Sequence, residues 1–550
     1  MQTTLCVPLE VKPESCSRLS ALIDELRLQE DSGKFAYDVN FGRVIRDIPT
    51  LHFMSVSVFM SADYDPLFVF EANMDGPPGV FWGQIEAAFG EKIREMLRCC
   101  KQPLDGDARL YLAVTAPGSV APVAPYMEAR TQWPSAFHHG NRGMSRDRIL
   151  TEAALFGELR RELDDPAKHS TDIYRGLPPP QVHRQLREAL LPGFAWLAAD
   201  SPPRISSTER TRDFIRLMLF VVVLLLVLSL PGVAVAALLP ARTYFLLILV
   251  LAAVIGFLIY LARKALPGTE MPTKFNLLGF LAERAVLIAC FVAIAVILTT
   301  ALMWPLVMFG SMLLSLLEGR VWSTEGLGFW HMAGITLRGL LSLIVILPLV
   351  VLWLRYLEKR DSSQADPPLD PVILHDMARQ EDWVAQNHMG SIVLIKPGVL
   401  RTILLRAGHL GLGLLLRVTA TNGYLGSMRT VHFAHWAFLN NGSRLLFLSN
   451  FDQSWGSYLD DFIEKANVGT TLAWGAGVGF PPTRFLIYDG SSNGRMFKNW
   501  ALASRAVSRF WFSAYPGLTV NQIERNNRIA DGLRKPSMTE EEARTWMMDL

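Results

Sequence analysis

Charged residues are scarce in this chain. Asp, Glu, Lys and Arg make up 19% of its 550 residues and nearly cancel, leaving a net charge of +2. That balance excludes the broad basic surface on which nucleic-acid binding depends. Cysteine is scarcer still. Cys6, Cys16, Cys99, Cys100 and Cys290 are odd in number and show no metal-ligand spacing, so all five read as free thiols in a reducing compartment. The chain contains no HExxH, P-loop or CxxC, which removes zinc-protease, nucleoside-triphosphatase and thioredoxin chemistry. The stretch GAGVGFPP at 475–482 has the glycines of a dinucleotide loop, but Pro481 and Pro482 lead into a strand rather than the helix such a loop must open. The first residues, MQTTLCVPLEVKPESC, lack the apolar core of a signal peptide.

What the chain does have is long apolar runs. Half of it is hydrophobic, and residues 217–240 and 243–262 carry no charge at all. Residues 285–317 form a longer run interrupted by Pro305 and Gly310, and GLLSLIVILPLVVLWL lies between Arg338 and Arg355. A bilayer core of about 30 Å takes roughly 20 such residues per helix. The pattern predicts a block of four transmembrane helices over 213–357, with Pro231, Pro305 and Pro348 as points of kinking. Intramembrane charges, the usual mark of a transport path, are nearly absent, which favours an anchor over a transporter or channel.

Basic residues flank the runs unevenly. Arg204, Arg210, Arg212 and Arg216 precede the first; Arg263, Lys264, Lys274 and Arg284 separate the second from the third; Arg355, Lys359 and Arg360 follow the last. The opposite side offers Arg242, then Arg320 and Arg338 diluted by Glu318 and Glu325. By the positive-inside rule both termini lie in the cytoplasm, with Trp322, Phe329 and Trp330 as interfacial aromatics on the far side.

The membrane block separates two polar regions, 1–205 and 365–550, and these echo each other. TLHF at 50–53 matches TVHF at 430–433, a turn follows in each, and FVFEANMD at 68–75 then matches LLFLSNFD at 445–452. Asn73 and Asp75 fall on Asn450 and Asp452. Helical patterns come next, FWGQIEAAF against SYLDDFIEKA, and Ser135-Ala136-Phe137 echoes Ser513-Ala514-Tyr515. This order of matches reads as a duplication. Each unit reads strand, turn, strand, helix, with further strands expected at 109–117 and 483–490. The expected fold class is therefore α+β plus membrane: two ferredoxin-like modules, each an antiparallel sheet with helices on one face. Each bare sheet face would be covered by the sister sheet, making a pseudo-dimeric α+β barrel around a shared chamber.

Two such units closing face to face resemble the dimeric α+β barrel superfamily, which includes dye-decolorizing-type heme peroxidases and chlorite dismutases. The stretch HFAHWAFLNN, LLFLSNFDQSWGSYLDDFIEKA and RFWFSAYPGLTVNQIERNNRIADGL is similar to bacterial proteins grouped there, and FHHGNRGMSRDRILTEAALFGELRREL is similar to their other half. The resemblance implies a membrane-anchored heme peroxidase acting on a peroxide or a hydrophobic substrate. It puts the family's distal Asp on Asp75, although the motif at 72–76, Ala-Asn-Met-Asp-Gly, departs at its first glycine. Arg142, in the glycine-bracketed loop HHGNRGMS with His138 and His139, would stabilise charge.

His432 would hold the heme iron, with Asn450 and Asp452 beside it and His52 as its sister. A second reading stays open for each residue. Asp75 and Asp452 suit helix capping, His52 and His432 suit strand-end hydrogen bonding repeated in both halves, and Arg142 suits an exposed loop. His435 is expected on the other face, among helices or exposed. The alternative function is a non-catalytic tethered barrel that binds a small apolar ligand or a partner protein, with homo-oligomers possible in either case.

Overall fold

The computed structural model describes residues 2–31, 40–165, 174–265, 285–319, 321, 323, 328–364, 366–372, 374–375, 377, 385–420, 422–425 and 428–550. Lys274, Arg284, Arg320, Trp322 and Glu325 lie outside the described residues. The chain divides into two compact units. One combines Met1–Arg210, Ser363–Pro481 and Ser491–Leu550; the other combines Thr211–Ser362 with Pro482–Gly490.

In the first unit the chain begins with β1 (Gln2–Glu10), α1 (Cys16–Asp31), β2 (Leu51–Phe59), β3 (Leu67–Asp75) and α2 (Pro78–Arg98). Pro78 stands at the first turn of α2, where its missing N–H costs nothing. The stretch expected as a strand at 109–117 is instead the helix Ala108–Thr115. Its Tyr111 and Val114 are buried three residues apart, a helical period that outweighs the strand propensity of Tyr and Val. After β4 (Ala136–His139) comes α3 (Arg146–Asp164), whose N-cap Ser145 accepts the Arg148 N–H.

The second unit is mainly α4 (Ser207–Leu238), α5 (Ala241–Ala265), α6 (Ala285–Leu317), α7 (Phe329–Leu341) and α8 (Leu343–Glu358). Pro231, Pro305 and Pro348 all lie inside helices, and the fourth apolar run is divided between α7 and α8 at Ser342. Where α4 crosses α7, Gly232 and Gly339 let the backbones approach closely. A Cβ on Gly339 would sit 2.7 Å from Val233 Cα.

The chain returns to the first unit with β5 (Gln386–Leu394), α9 (Val399–Thr419), β6 (Val431–Leu439), β7 (Arg444–Asp452), α10 (Trp455–Lys465), the short β8 (Arg505–Ala506), β9 (Phe510–Ser513) and α11 (Val520–Arg534). The strand expected at 483–490 is a hairpin of two-residue strands belonging to the second unit.

Both sheets are antiparallel. Their orders are β1-β3-β2-β9 and β8-β5-β7-β6-β4. The last strand of each half therefore completes the other half's sheet: β9 pairs with β2, and β4 pairs with β6. The repeat extends to single bonds. His52 and His432 each sit at a register shift in β2 and β6. Asp75 N–H donates to Thr50 O at 2.8 Å and Asp452 N–H to Thr430 O at 2.7 Å. Gly76 and Gln453, which follow, have φ of +87° and +71°.

Ala514 N–H donates to His52 O and Gly140 N–H to His432 O, which makes Gly140 the counterpart of Ala514. The equivalence of Ser135-Ala136-Phe137 with Ser513-Ala514-Tyr515 expected from sequence is thus wrong by four residues. Asn141, not Phe137, corresponds to Tyr515, and the N-cap Ser145 corresponds to Thr519.

Helices cover one face of each sheet, and across the other face the sheets meet. Cys6, Phe59, Leu67 and Val69 from the first sheet share an apolar cluster with Ile392, Ala437, Leu446 and Leu448 from the second. Each Phe, Leu, Ile or Val side chain in it contributes about 1.5–3 kcal/mol on burial. Apolar side chains from both sheets pack together in this cluster.

Among the described residues, five helices are long and apolar enough to cross a membrane. They are Ser207–Leu238, Ala241–Leu261, Val292–Leu317, Phe329–Glu358 and Val399–Thr419. The fifth, α9, is not among the four predicted from the sequence. It connects two strands of one sheet, and its buried His409 lies 2.9 Å from Ser135 Oγ and 3.0 Å from the Ala473 carbonyl.

Candidate functional site

Two matching joints occupy the place where the halves exchange strands. A strand-end aspartate beside a helix start is positioned to accept backbone N–H groups that have no partner within the helix. Asp75 Oδ2 accepts the Arg146 N–H at 2.8 Å, and Asp452 Oδ2 accepts the Val520 N–H at 2.8 Å. Each aspartate also meets its own histidine. His52 Nε2 lies 3.2 Å from Asp75, and His432 Nε2 lies 2.8 Å from Asp452.

A glutamine completes each joint. Gln2 donates to the Met144 carbonyl at 2.8 Å and to that of Asn141; Gln386 donates to the equivalent carbonyls of Leu518 and Tyr515. Burial alone would raise the Asp75 carboxyl, but His52 and the Arg146 N–H outweigh it and hold it below the ordinary carboxylate range. His52 and His432 are 0% and 1% exposed. His52 packs on Phe433 at 5.4 Å and His432 on Phe53 at 5.3 Å, with the Tyr515 hydroxyl 2.9 Å from His52 Nδ1.

A second cluster breaks this symmetry. Glu71, in the middle of β3, is 1% exposed and faces the second sheet. Its carboxylate accepts from Ser55 at 2.8 Å, Asn73 at 2.9 Å and Asn450 at 3.4 Å, and lies 2.9 Å from His388 Nε2. Burial pushes this carboxyl up, but His388, His435 and the Asn73 amide together bring it down to about 2.

His435 Nδ1 stands 3.7 Å from Glu71, and neither of its ring nitrogens makes a hydrogen bond among the described residues. Burial lowers the His435 imidazole to about 4, so the ring is neutral. The counterparts of Glu71, His388 and His435 in the other half are Leu448, Thr4 and Ser55, as the strand registers show. The joints occur twice; the Glu71 cluster occurs once.

The structure gathers the sequence-predicted residues only in part. His52 meets Asp75, and His432 meets Asp452. Asn450 belongs to the Glu71 cluster, where its Oδ1 accepts the Trp511 indole N–H at 2.8 Å. Arg142 is engaged elsewhere: it donates to the Arg417 carbonyl at 2.6 Å and pairs with Glu209 at 2.5 Å. His435, expected among helices or exposed, points between the sheets and is 0% exposed.

Glu71 and His388 were missed in the sequence. The available signal was a lone acid within the apolar strand LFVFEANMD and a histidine in QNHMGSIVL. Neither marks a pair, because their approach depends on sheets joined only in space.

An axial heme ligand needs one imidazole nitrogen facing a cleft as wide as the macrocycle. His432 Nδ1 makes no hydrogen bond among the described residues, but Phe53 and Tyr515 pack at 5.3 and 6.0 Å from its ring. These residues do not fit a heme at His432 unless the aromatic rings move away. Among the described residues no group of three or more His, Cys, Asp or Glu side chains is disposed to hold a metal ion. No family profile, curated protein or solved structure matches the chain.

Proposed function

We propose that this chain is a membrane-tethered, non-catalytic body that binds a partner protein at the membrane face. Its two sister modules are read as ferredoxin-like βαββ cores that have exchanged their fourth strands to close a pseudo-dimeric α+β barrel, with both termini cytoplasmic. The observation that carries the reading is the use made of His52 and His432. Each is buried against an aspartate that already holds a helix start, so the residues best suited to chemistry are engaged in joining the halves. The apolar cluster packed between the sheets also favours binding on the outer surface over an internal site for a small apolar ligand.

The heme peroxidase reading makes the opposite demand on the same residues, which gives a direct test. An optical spectrum is taken of detergent-purified protein expressed with heme supplementation, beside His52→Ala and His432→Ala. The expected result is no Soret band in any of the three, with both variants less stable. A Soret band in the parent that disappears in His432→Ala would overturn the proposal and restore the enzyme.

A further inference from the structure

The hairpin Thr483–Asp489 carries a concentration of backbone strain. Thr483 and Arg484 pair with Asp489 and Tyr488, leaving Phe485, Leu486 and Ile487 as the loop. Phe485, Leu486 and Asp489 have φ of +55°, +66° and +61°. Side chains other than glycine, asparagine and aspartate rarely enter this region, and each costs about 1–2 kcal/mol there.

One carboxylate offsets the strain. Glu358, at the end of α8, accepts the Phe485 N–H at 3.0 Å, the Leu486 N–H at 2.8 Å and the Thr483 hydroxyl at 2.9 Å. Arg355 donates to the same carboxylate at 3.0 Å and to the Thr483 carbonyl at 2.9 Å. Two successive N–H groups folded around an anion form a nest, and here the anion belongs to the protein.

The position of Glu358 gives the hairpin its level. The apolar run of this span ends at Leu354, and Arg355, Lys359 and Arg360 follow. Trp353 and Tyr356 are exposed beside that boundary, and Arg360 stacks on Tyr356 at 4.1 Å. Exposed aromatics followed by basic residues mark the junction of hydrocarbon and headgroups. Glu358 lies three residues past Arg355, roughly 4.5 Å along the helix axis. A loop bonded to its carboxylate stands in the headgroup layer. Phe485, Leu486, Ile487 and Tyr488 are all half-buried, so the loop offers apolar and aromatic surface at that level.

We infer that this hairpin is a membrane-contact element, seated among the phospholipids next to the last span with its apolar tip at the acyl boundary. The chain thus holds the bilayer by its helices and also by a strained loop that a helix end keeps at the correct depth. The inference rests on α4–α8 being membrane-embedded, and the test separates the two.

Single nitroxide labels are placed on the full-length protein at Ile487→Cys, at Phe257→Cys on the exposed side of α5 and at the exposed Leu104→Cys, each with Cys290→Ser. The proteins are reconstituted in nanodiscs of phosphatidylcholine and phosphatidylglycerol, and collision with oxygen and with a water-soluble nickel complex is measured by power saturation. Labels at 487 and 257 should both favour oxygen, with 487 the shallower, and 104 should favour nickel. If 487 behaves like 104 while 257 stays in lipid, the hairpin inference is overturned. If 257 also behaves like 104, the membrane reading itself fails. Glu358→Gln should raise nickel access at 487 several-fold and leave 257 unchanged; no rise would overturn the role given to Glu358.

Discussion

Glu71 and His388 meet 2.9 Å apart between the two sheets, and the sister positions across the repeat are Leu448 and Thr4. A buried carboxylate and its hydrogen-bonding partner are costly to separate but cheap to replace as a whole. Losing one partner strands the other without solvent, whereas removing both lifts the desolvation of each. Glu71→Leu should therefore destabilise the folded protein by about 3–5 kcal/mol. Adding His388→Thr, which copies Thr4 as Glu71→Leu copies Leu448, should recover more than half of that loss. Denaturant titration of the two single variants and the double variant supplies the cycle. An additive double variant would mean the contact contributes no coupling.

The same cluster sets two windows of pH dependence. His435 has a folded value of about 4 against an ordinary 6.5, so below 6.5 the unfolded chain takes up a proton that the folded one refuses. Stability is complete above pH 6.5 and falls as the pH drops towards 4, by roughly 3 kcal/mol in total for this residue. Glu71, at about 2 against an ordinary 4.5, keeps its contribution above pH 4.5 and loses it between 4.5 and 2. Equilibrium unfolding from pH 8 to pH 3 should show the upper window shrinking in His435→Ser, which copies Ser55. A slope between 6.5 and 4 identical to that of the parent would refute the assignment.

The parts of this fold legible in the sequence are those in which a local pattern fixes a local structure. TLHF and TVHF mark strands because their apolar residues alternate. Asp75 and Asp452 do meet helix starts, but those at Arg146 and Val520, 71 and 68 residues away, rather than those of the helices that follow them. Exchange of β4 and β9 leaves no local trace, since a strand carries the same pattern whichever sheet receives it. The four-residue error at Phe137 and Tyr515 arose there: the small-then-aromatic triplets look alike, while the bonds to His52 and His432 lie elsewhere in the chain. Glu71 and His388 are 317 residues apart, and only the meeting of the sheets makes them neighbours.

The joints predict matched losses with a definite order. His52→Ala and His432→Ala each leave an aspartate short of a partner, at about 1–3 kcal/mol. Asp452 has 3% of its side chain exposed and Asp75 21%, so water can repair the first half better than the second. His432→Ala should be the more destabilising of the two by thermal unfolding in detergent. The reverse order would show that burial of the aspartate does not set the loss.

Gly140 and Ala514 occupy equivalent turns, but only one has room for a methyl group. A Cβ at Gly140 would stand 2.2 Å from the Val431 carbonyl oxygen, a backbone atom that cannot swing aside. Gly140→Ala should cost at least about 2 kcal/mol, within the range for overpacking a tight core, and lower the yield of folded protein. Ala514→Gly should cost less than about 1 kcal/mol, chiefly through chain entropy. Equal effects would show that the two crossing segments are not held alike.

The shared sheets also constrain how the chain threads the bilayer. β4 comes from before the apolar block and pairs with β6 from after it, so both ends of that block must lie on one side and the crossings between them must be even in number. α9 is apolar enough to span, yet β5 before it and β6 after it belong to one sheet, so it does not cross. The prediction is four crossings, with both halves in the cytoplasm as the positive-inside rule expects from the basic residues on either side of the block. Cysteines at the exposed positions Leu104, Val468 and Val321, each on a Cys290→Ser background, test this with a membrane-impermeant maleimide on sealed vesicles of both orientations. Positions 104 and 468 should react only in inside-out vesicles and 321 only in right-side-out ones. Reaction of 104 and 468 from opposite faces cannot coexist with exchanged strands, and would overturn the arrangement at its foundation.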